Sequence, residues 1–260
     1  MTFEPDESLS LDWPEIVMKI RARTPARLIV GRAGAAYRTG TQLELRAAHA
    51  NARDAVRAEL ELEKQLGPDF VRQWGLFEVC TRANSKDEFL LQPPLGRSLS
   101  EASRSDLLKR CSSGNDLQFA VGDGLSVAAV SAQVPKLLPL LYEGATARGW
   151  TVGQTFVIRH CRVGILNEIG EMLAPTIAIL IIGERPGLAT AESLSAYLAY
   201  RPLRTHTDAN RNLISNIHDR GVRPDAAANR ILNFAAQMMR AKASGSQLRE
   251  ELPALGSDFS

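Results

Sequence analysis

Apolar residues recur at helical spacing along the first part of the chain. Trp13 to Arg23 is a short amphipathic stretch, and Thr41 to Leu66 is a long one rich in Ala, Leu, Glu and Arg, so both predict helices. Gly67-Pro68 is expected to end the second helix. The pattern is weaker from Leu76 to Ser113, and we treat this stretch as a connector that contains one helix near Glu101 to Lys109.

Short apolar runs and helical stretches alternate from residue 116 onward. The run LQFAVGDG predicts a strand, Ser126 to Arg148 a helix, and TFVIRHC a second strand. The segment VGILNEIGEML has apolar residues at helical spacing, and TIAILIIG predicts a third strand with apolar residues on both faces. Such a strand is expected in the middle of a parallel sheet that helices cover on both sides. A final helix is predicted from Asp225 to about Ala243.

This alternation predicts an α/β protein, with a Rossmann-like parallel-sheet domain and a helical N-terminal extension. We expect the extension and the connector to occupy residues 1–113 and the sheet domain to occupy residues 114–260. Right-handed crossovers would place the loops after the three strands at one carboxyl edge of the sheet, namely GDGLS, HCRVG and GERPGL. Open α/β sheets bind ligands at this edge, so these loops are the first candidates for a site.

Composition narrows the class of partner. The 260 residues are 45% hydrophobic, which is enough for a substantial core. A net charge of +2 gives no reason to expect binding to nucleic acid or to an anionic membrane surface. The apolar runs are too short to span a bilayer, and the acidic start is not a secretory signal. The cysteines are far apart in the sequence and indicate reduced thiols in a cytoplasmic protein without a zinc site: Cys80, Cys111 and Cys161.

Several polar motifs have an ordinary structural interpretation. Gly122-Asp123-Gly124 lacks the spacing of a phosphate loop, so we expect a strand-to-helix turn in which Asp123 or Ser126 caps the next helix. The scattered histidines show no pairing at i and i+4, so a structural or solvent role is expected for His49, His160, His206 and His218. A solvated helix face, or a first-turn position that complements the helix dipole, is expected for three polar residues, Asn167, Glu168 and Glu171. No motif pairs a nucleophile with a base, so no catalytic residue and no metal ligand is predicted.

The GERPGL segment is more informative, because Glu184 and Arg185 leave a buried strand where a ligand crevice would open. A carboxylate there can accept hydrogen bonds from the amide or hydroxyl groups of a large cofactor. The alternative is a local ion pair between Glu184 and a neighbouring arginine. Val163 follows the second strand and is an ordinary helix-start residue unless a ligand packs against it.

Several segments, taken in order, resemble the small subunit of ethanolamine ammonia-lyase across nearly the whole chain: TPARLIVGRAGAAYRTGTQLELRAAHANARDAV, DLQFAVGDGLS, RHCRVGILNEIGE, IGERPGLATAESLSAYLAYRP and RNLISNIHDRG. The resemblance implies an adenosylcobalamin-dependent lyase that converts ethanolamine to acetaldehyde and ammonia as a complex with a large TIM-barrel subunit. It implies that the corrinoid lies between the two subunits, that substrate binds in the barrel, and that this subunit is not active alone. The GRAG loop and the N-terminal helices are then candidates for contacts with the large subunit.

The resemblance also implies three cofactor contacts on this chain. Val163 in HCRVG and Glu184 in GERPG match the family pattern. At the third position many relatives have a cysteine, whereas this chain has Leu213, so only a packing contact is expected there. Other departures remove charged or polar groups that could serve subunit contacts, at Ala48, Gln92, Pro94 and Ser98.

Two other functions remain open on the sequence alone. The chain could be a stand-alone α/β nucleotide- or corrinoid-binding protein that uses GDGLS and GERPG around one crevice, although it has no complete dinucleotide fingerprint. It could also be a relative that binds a corrinoid or a partner without lyase activity, in view of Leu213 and Pro94. The sequence leaves subunit number and packaging in a bacterial microcompartment undetermined.

Overall fold

The computed structural model describes residues 14–24, 28, 30 and 32–251. Helix α1 covers Glu15–Ala22, and the predicted start of this helix at Trp13 lies outside the described residues. The described part of the predicted GRAG loop is a short antiparallel hairpin, in which β1 (Arg32–Ala33) pairs with β2 (Ala36–Tyr37). Gly34 turns the hairpin with a φ of 61°, a left-handed conformation that glycine adopts at low cost.

The predicted long helix is interrupted before its end. Helix α2 covers Thr39–Arg57, and α3 covers Leu62–Leu66. Between them the backbone is extended at Ala58, and the side chain of Leu60 is completely buried in the main core. Packing of Leu60 against distant residues therefore outweighs the helix propensity of the sequence around it. Helix α4, Pro68–Gln73, begins directly after the expected break.

A six-stranded mixed sheet lies at the centre of the described chain. In chain order its strands are β3 (Glu78–Cys80), β4 (Leu117–Gly122), β5 (Phe156–Arg159), β6 (Ile177–Gly183), β7 (Leu194–Tyr200) and β8 (Asn212–Ile217). Across the sheet they follow the order β3, β5, β4, β6, β7, β8. The first four strands in this order are parallel to one another, whereas β7 is antiparallel to β6 and β8 is antiparallel to β7.

The α/β class and the three predicted strands are confirmed, as β4, β5 and β6. The expectation that the third strand lies within a parallel sheet is wrong on one side, because β6 is parallel to β4 and antiparallel to β7. Only residues 184–193 connect β6 to β7. A parallel return requires a crossover of about a dozen residues or more, so the short loop produces a hairpin instead. The description of the sheet as Rossmann-like stays a prediction.

Helices cover the sheet on both faces. The helix predicted in the connector is confirmed as α6 (Glu101–Arg110), and those predicted after residue 116 are confirmed as α7 (Val127–Thr146), α8 (Ile165–Leu173) and α9 (Pro224–Ala241). Helix α5 (Lys86–Leu91) was not predicted. Helix α7 leads from β4 to β5, which is the neighbour of β4 on one side in the strand order. Helix α8 leads from β5 back past β4 to β6, which is the neighbour of β4 on the other side. Crossovers of one hand that run in opposite directions place their helices on opposite faces. Within the described residues, no helix combines the length and the apolar character needed to cross a membrane.

Alternate residues of β6 belong to two separate cores. Ile177, Ile179 and Ile181 pack in a first core with α7 and α9, which we call the α7 face. Ala178, Leu180 and Ile182 pack in a second core with α8, which we call the α8 face. Side chains of a strand point alternately to opposite faces, so a strand buried on both is apolar throughout.

Residues 76–113, treated above as a connector, contain the edge strand β3 and helices α5 and α6. Strand β3 pairs in parallel with β5, and Val79 lies opposite Ile158. Leu107 of α6 is completely buried in the second core. This stretch therefore completes one margin of the sheet, and the division of the chain at residue 113 stays a prediction.

Candidate functional site

The loops after β4, β5 and β6 meet at one carboxyl edge, as predicted. Gly122, the last residue of β4, registers with Ile158 on one side and with Ile182 on the other. The three parallel strands therefore end nearly level. This is also the point at which the chain changes direction across the sheet, where open α/β sheets form their ligand crevices.

The loop after β4 is held by contacts to neighbouring elements. Ser126 caps helix α7 by accepting a hydrogen bond from the Ala129 N–H. Asp123, the alternative predicted cap, is completely buried and accepts the Cys161 N–H at 2.8 Å. Its second carboxylate oxygen lies 3.3 Å from Nζ of Lys86. Asp123 thus connects the loops after β4 and β5 to helix α5.

Glu184, at the end of β6, is a half-buried carboxylate that holds two strands together. Its side chain accepts hydrogen bonds of 2.6 Å from the hydroxyls of Ser193 and Ser195. It also accepts the backbone N–H of Asn216 at 2.9 Å. Asn216 has a φ of 61°, and the β7–β8 register shifts nearby, between Leu194 and Ala196. Glu184 therefore stabilises an irregular point of β8.

These contacts replace the expected alternative of an ion pair with a neighbouring arginine. Arg185 is exposed, while the Glu184 carboxylate is turned toward hydroxyl and amide donors. A carboxylate offers about four acceptor positions, and three donors leave room for one more. Glu184 can thus accept a further hydrogen bond from a ligand without losing its internal partners.

Val163 is half-buried two residues before the start of helix α8, and its carbonyl accepts the Leu166 N–H at 3.2 Å. Its side chain packs against the second core together with that of Tyr197 on β7. Val163 therefore lies on the α8 face of the sheet. The Ser195 side chain that bonds Glu184 is on the same face, since Ala196 packs into the first core.

Leu213 lies on the outermost strand, β8, opposite Tyr197. Its side chain is 46% exposed and lines a cavity of about 490 Å³ at the edge of the sheet. Tyr197, the partner of Leu213 on β7, is also close enough to Glu184 to be affected by its charge. Burial raises the pKa of the Tyr197 phenol, and the nearby charges of Glu184 and Asp208 raise that pKa further. The cofactor roles of Val163, Glu184 and Leu213 stay predictions.

The two serines and Tyr197 were not identified from the sequence. They alternate with apolar residues in SLSAYLAY, where Leu194, Ala196 and Leu198 enter the first core. This alternation has the period of a strand with one polar face. It could have located both the strand and the partners of Glu184.

Glu168 lies in the first turn of α8, one of the two expected positions, and not on a solvated face. It is buried, lies 2.5 Å from Nε of Arg104, and accepts the Leu99 N–H at 2.7 Å. Asn167 donates to the carbonyl of His206 at 2.7 Å and accepts from Arg211 at 2.7 Å. This side of α8 therefore holds neighbouring loops in place.

Two histidines have internal roles. His160 is buried, with Nε2 at 3.0 Å from a carboxylate oxygen of Glu59. His218 is also buried and lies 2.8 Å from the side-chain oxygen of Asn216. In the part of the chain that the structure describes, no group of three or more His, Cys, Asp or Glu side chains is arranged to hold a metal ion.

The level strand ends and the polar carboxyl edge define an α/β protein with the arrangement at which open α/β sheets bind ligands. A family profile described as "Ethanolamine ammonia-lyase light chain (EutC)" matches residues 14–249. The chain therefore belongs to the ethanolamine ammonia-lyase light-chain family, which confirms the resemblance found in the sequence.

Curated relatives agree with this assignment. The ethanolamine ammonia-lyase small subunit of Clostridium perfringens is 39% identical over 235 residues, which are 90% of this chain and 78% of that protein. The small subunit of Fusobacterium nucleatum is also 39% identical over the same shares of the two chains. That of Clostridium acetobutylicum is 37% identical over 235 residues, 90% of this chain and 95% of its own length.

Proposed function

We propose that this chain is the small subunit of an adenosylcobalamin-dependent ethanolamine ammonia-lyase and helps to hold the cofactor at the interface with the large subunit. Family membership supports the assignment to ethanolamine ammonia-lyase. The name "small subunit" of its relatives supports the presence of a larger partner subunit. The proposal that this chain contacts the cofactor rests on the position of Glu184. This carboxylate has an acceptor position to spare and stands at the carboxyl edge beside an open part of the sheet.

The described residues fit a corrinoid, which is broad and flat and carries amide groups around its rim. Helices α7 and α9 cover β7 and β8 on the α7 face, whereas on the α8 face Tyr197 is half-exposed and Leu213 is exposed. This leaves a shallow apolar surface bordered by the Glu184 carboxylate. Glu184 would accept a hydrogen bond from an amide of the ring, and Val163 and Leu213 would pack against its margin.

When bound, adenosylcobalamin supplies the radical chemistry, so the protein contributes binding, orientation and electrostatics. This chain holds one side of the cofactor and keeps water from that side. We assign the substrate site to the large subunit and no catalytic residue to this chain. Three free cysteines agree with the proposed location in a reducing cytoplasm, and packaging in a bacterial microcompartment stays undetermined.

The N-terminal elements are the proposed contact with the large subunit. Neither α1 nor α2 has a buried residue, although both are amphipathic. Apolar side chains of these helices and of the hairpin are exposed, including Ile16, Met18, Tyr37 and Leu43. An apolar helix face without cover is typical of a surface that a partner buries.

The direct test is co-expression with the large subunit encoded in the same genome, followed by an ethanolamine deamination assay. We expect turnover by the complex with adenosylcobalamin, and none without the cofactor or with either subunit alone. Turnover by this chain alone would contradict the proposal. Tight corrinoid binding by this chain without a complex would instead support the stand-alone binding protein.

A further inference from the structure

A cavity of about 870 Å³, separate from the one beside Leu213 and lined by polar residues, opens beside helix α8. Residues of α8, of the turn before α6 and of the loop between β7 and β8 line it. Five arginines and three carboxylates contribute to its wall: Arg82, Arg97, Arg104, Arg204, Arg211, Glu101, Glu168 and Asp208. We call it the arginine cavity.

The carboxylates of the arginine cavity are already paired. Glu168 and Glu101 both contact Arg104. Asp208 contacts Arg211, and Arg204 is paired with Glu171 at 3.1 Å. Over residues 14–24 and 32–251, neither Arg82 nor Arg97 has a carboxylate within ion-pair distance. The wall of the cavity therefore carries an excess of positive charge.

Arg211 is the most constrained of these side chains, because only 4% of it is exposed. Its terminal nitrogens donate to Asp208 and to Asn167, but its buried Nε has no acceptor among the described residues. Burial lowers the pKa of the Arg211 guanidinium, and the positive charge of Arg97 lowers that pKa further. An anion bound between Arg97 and Arg211 would relieve this repulsion.

Arg97 lines the cavity and is close enough to two other arginines, Arg162 and Arg211, to affect their pKa values. Burial and the charge of Arg185 lower the pKa of Arg162, and Arg97 also contributes to that lowering. The aliphatic part of Arg97 packs against Gly164, where a Cβ would lie 3.0 Å from its Cγ and Cδ. Gly164 therefore allows the Arg97 stem to cross the start of α8, so that several guanidinium groups come close together.

The arginine cavity adjoins the proposed cofactor surface. Asp208 and Arg211 of its wall both influence Tyr197, which is also influenced by Glu184. A ligand that covers Tyr197 could thus reach the cavity with an anionic arm.

We propose that the arginine cavity binds a phosphate group. Guanidinium groups donate paired hydrogen bonds to phosphate oxygens, and the exposed Arg82 and Arg97 have no carboxylate partner among the described residues. The buried Arg211 adds positive charge to the wall behind them. The phosphate can be the phosphodiester in the nucleotide arm of cobalamin, in which case this inference rests on the proposed function. It can also be a free phosphate ion, which does not depend on cobalamin.

The test uses the complex with the large subunit and compares unmodified protein with Arg97→Gln and Arg82→Gln. Arg240→Gln is the matched control, since Arg240 is 68% exposed on α9, which covers the opposite face. Affinity is measured by visible absorbance for cobalamin and for cobinamide, which lacks the nucleotide arm and its phosphate. Calorimetric titration of the corrinoid-free complex with inorganic phosphate forms a separate arm. Thermal unfolding verifies that each variant folds.

We expect Arg97→Gln to weaken cobalamin binding about tenfold, as expected for a lost hydrogen bond to a charged group, while cobinamide binding stays unchanged. That result identifies the cobalamin phosphodiester. Loss of phosphate binding with unchanged affinity for both corrinoids identifies a free phosphate ion. Equal weakening of cobalamin and cobinamide, or no difference from Arg240→Gln in any arm, overturns the inference. A complex that binds neither corrinoid contradicts the proposed function, and the phosphate titration then decides the cavity separately.

Discussion

Lys86 and Asp123 form a buried ion pair, with Nζ of Lys86 at 3.3 Å from Oδ2 of Asp123 and side chains that are 5% and 0% exposed. Lys86 also donates to the Gly124 carbonyl at 3.2 Å, and Asp123 accepts the Cys161 N–H. The pair thus joins the start of α5 to two of the three loops at the carboxyl edge. Cys161 lies two residues before Val163, so the pair fixes the start of the loop that contains Val163.

Lys86→Met is expected to lower the free energy of unfolding by about 3–5 kcal/mol, because it leaves the Asp123 carboxylate buried without its cation. Urea unfolding of the purified chain measures this change. Lys136→Met is the matched control, since the Lys136–Asp219 pair is exposed and such pairs contribute about 1 kcal/mol or less. Similar losses in the two variants would show that burial does not distinguish the pairs.

Glu184→Ala is expected to weaken cobalamin retention in the complex by roughly 1–3 kcal/mol, as for a lost buried hydrogen bond. The corrinoid that stays with the complex after gel filtration, measured by visible absorbance, gives the result. Glu192→Ala changes an exposed carboxylate in the same loop and should retain cobalamin fully. If Glu184→Ala also retains it, Glu184 serves only to hold β7 and β8 together.

Val163→Trp should prevent cobalamin binding, since a residue at this margin can approach a flat corrinoid closely only if it is compact. Subunit association and thermal unfolding should change little, because Val163 is only half-buried. Leu108→Trp adds an indole at a position that is 57% exposed on α6 and provides the comparison. Normal cobalamin binding by Val163→Trp would place Val163 away from the cofactor.

The cysteines should make stability fall at high pH. Burial raises the pKa of the Cys111 thiol from 9.0 to about 11, so between these values the unfolded chain releases a proton that the folded chain retains. The unfolded state then binds fewer protons, and the free energy of unfolding decreases as the pH rises through this window. Urea unfolding at several pH values should show a steeper decrease for the unmodified chain than for Cys111→Ala. Parallel decreases would contradict the assignment to Cys111.

The sequence by itself determined the elements whose pattern is local. The β6 run is apolar at every position because both faces are buried, and α8 repeats its apolar residues at helical spacing. The positions of the loops at the carboxyl edge and the family resemblance followed from such segments, taken in their order along the chain. Strands β7 and β8 were missed because β7 is polar on one face and β8 is irregular near Asn216.

Tertiary structure alone decided which distant residues became partners. Burial of Leu60 interrupts a helix that local propensity favours, and Glu168 is buried against Arg104 instead of lying on a solvated face. Arg97 and Arg211 are far apart in the chain and come together only where α8 and the loop after β7 pack against the same edge. Local periodicity reports which face of an element is buried, but not what covers it. The partners of Glu184 and the charge balance of the arginine cavity depend on that cover, and so only the folded chain determines them.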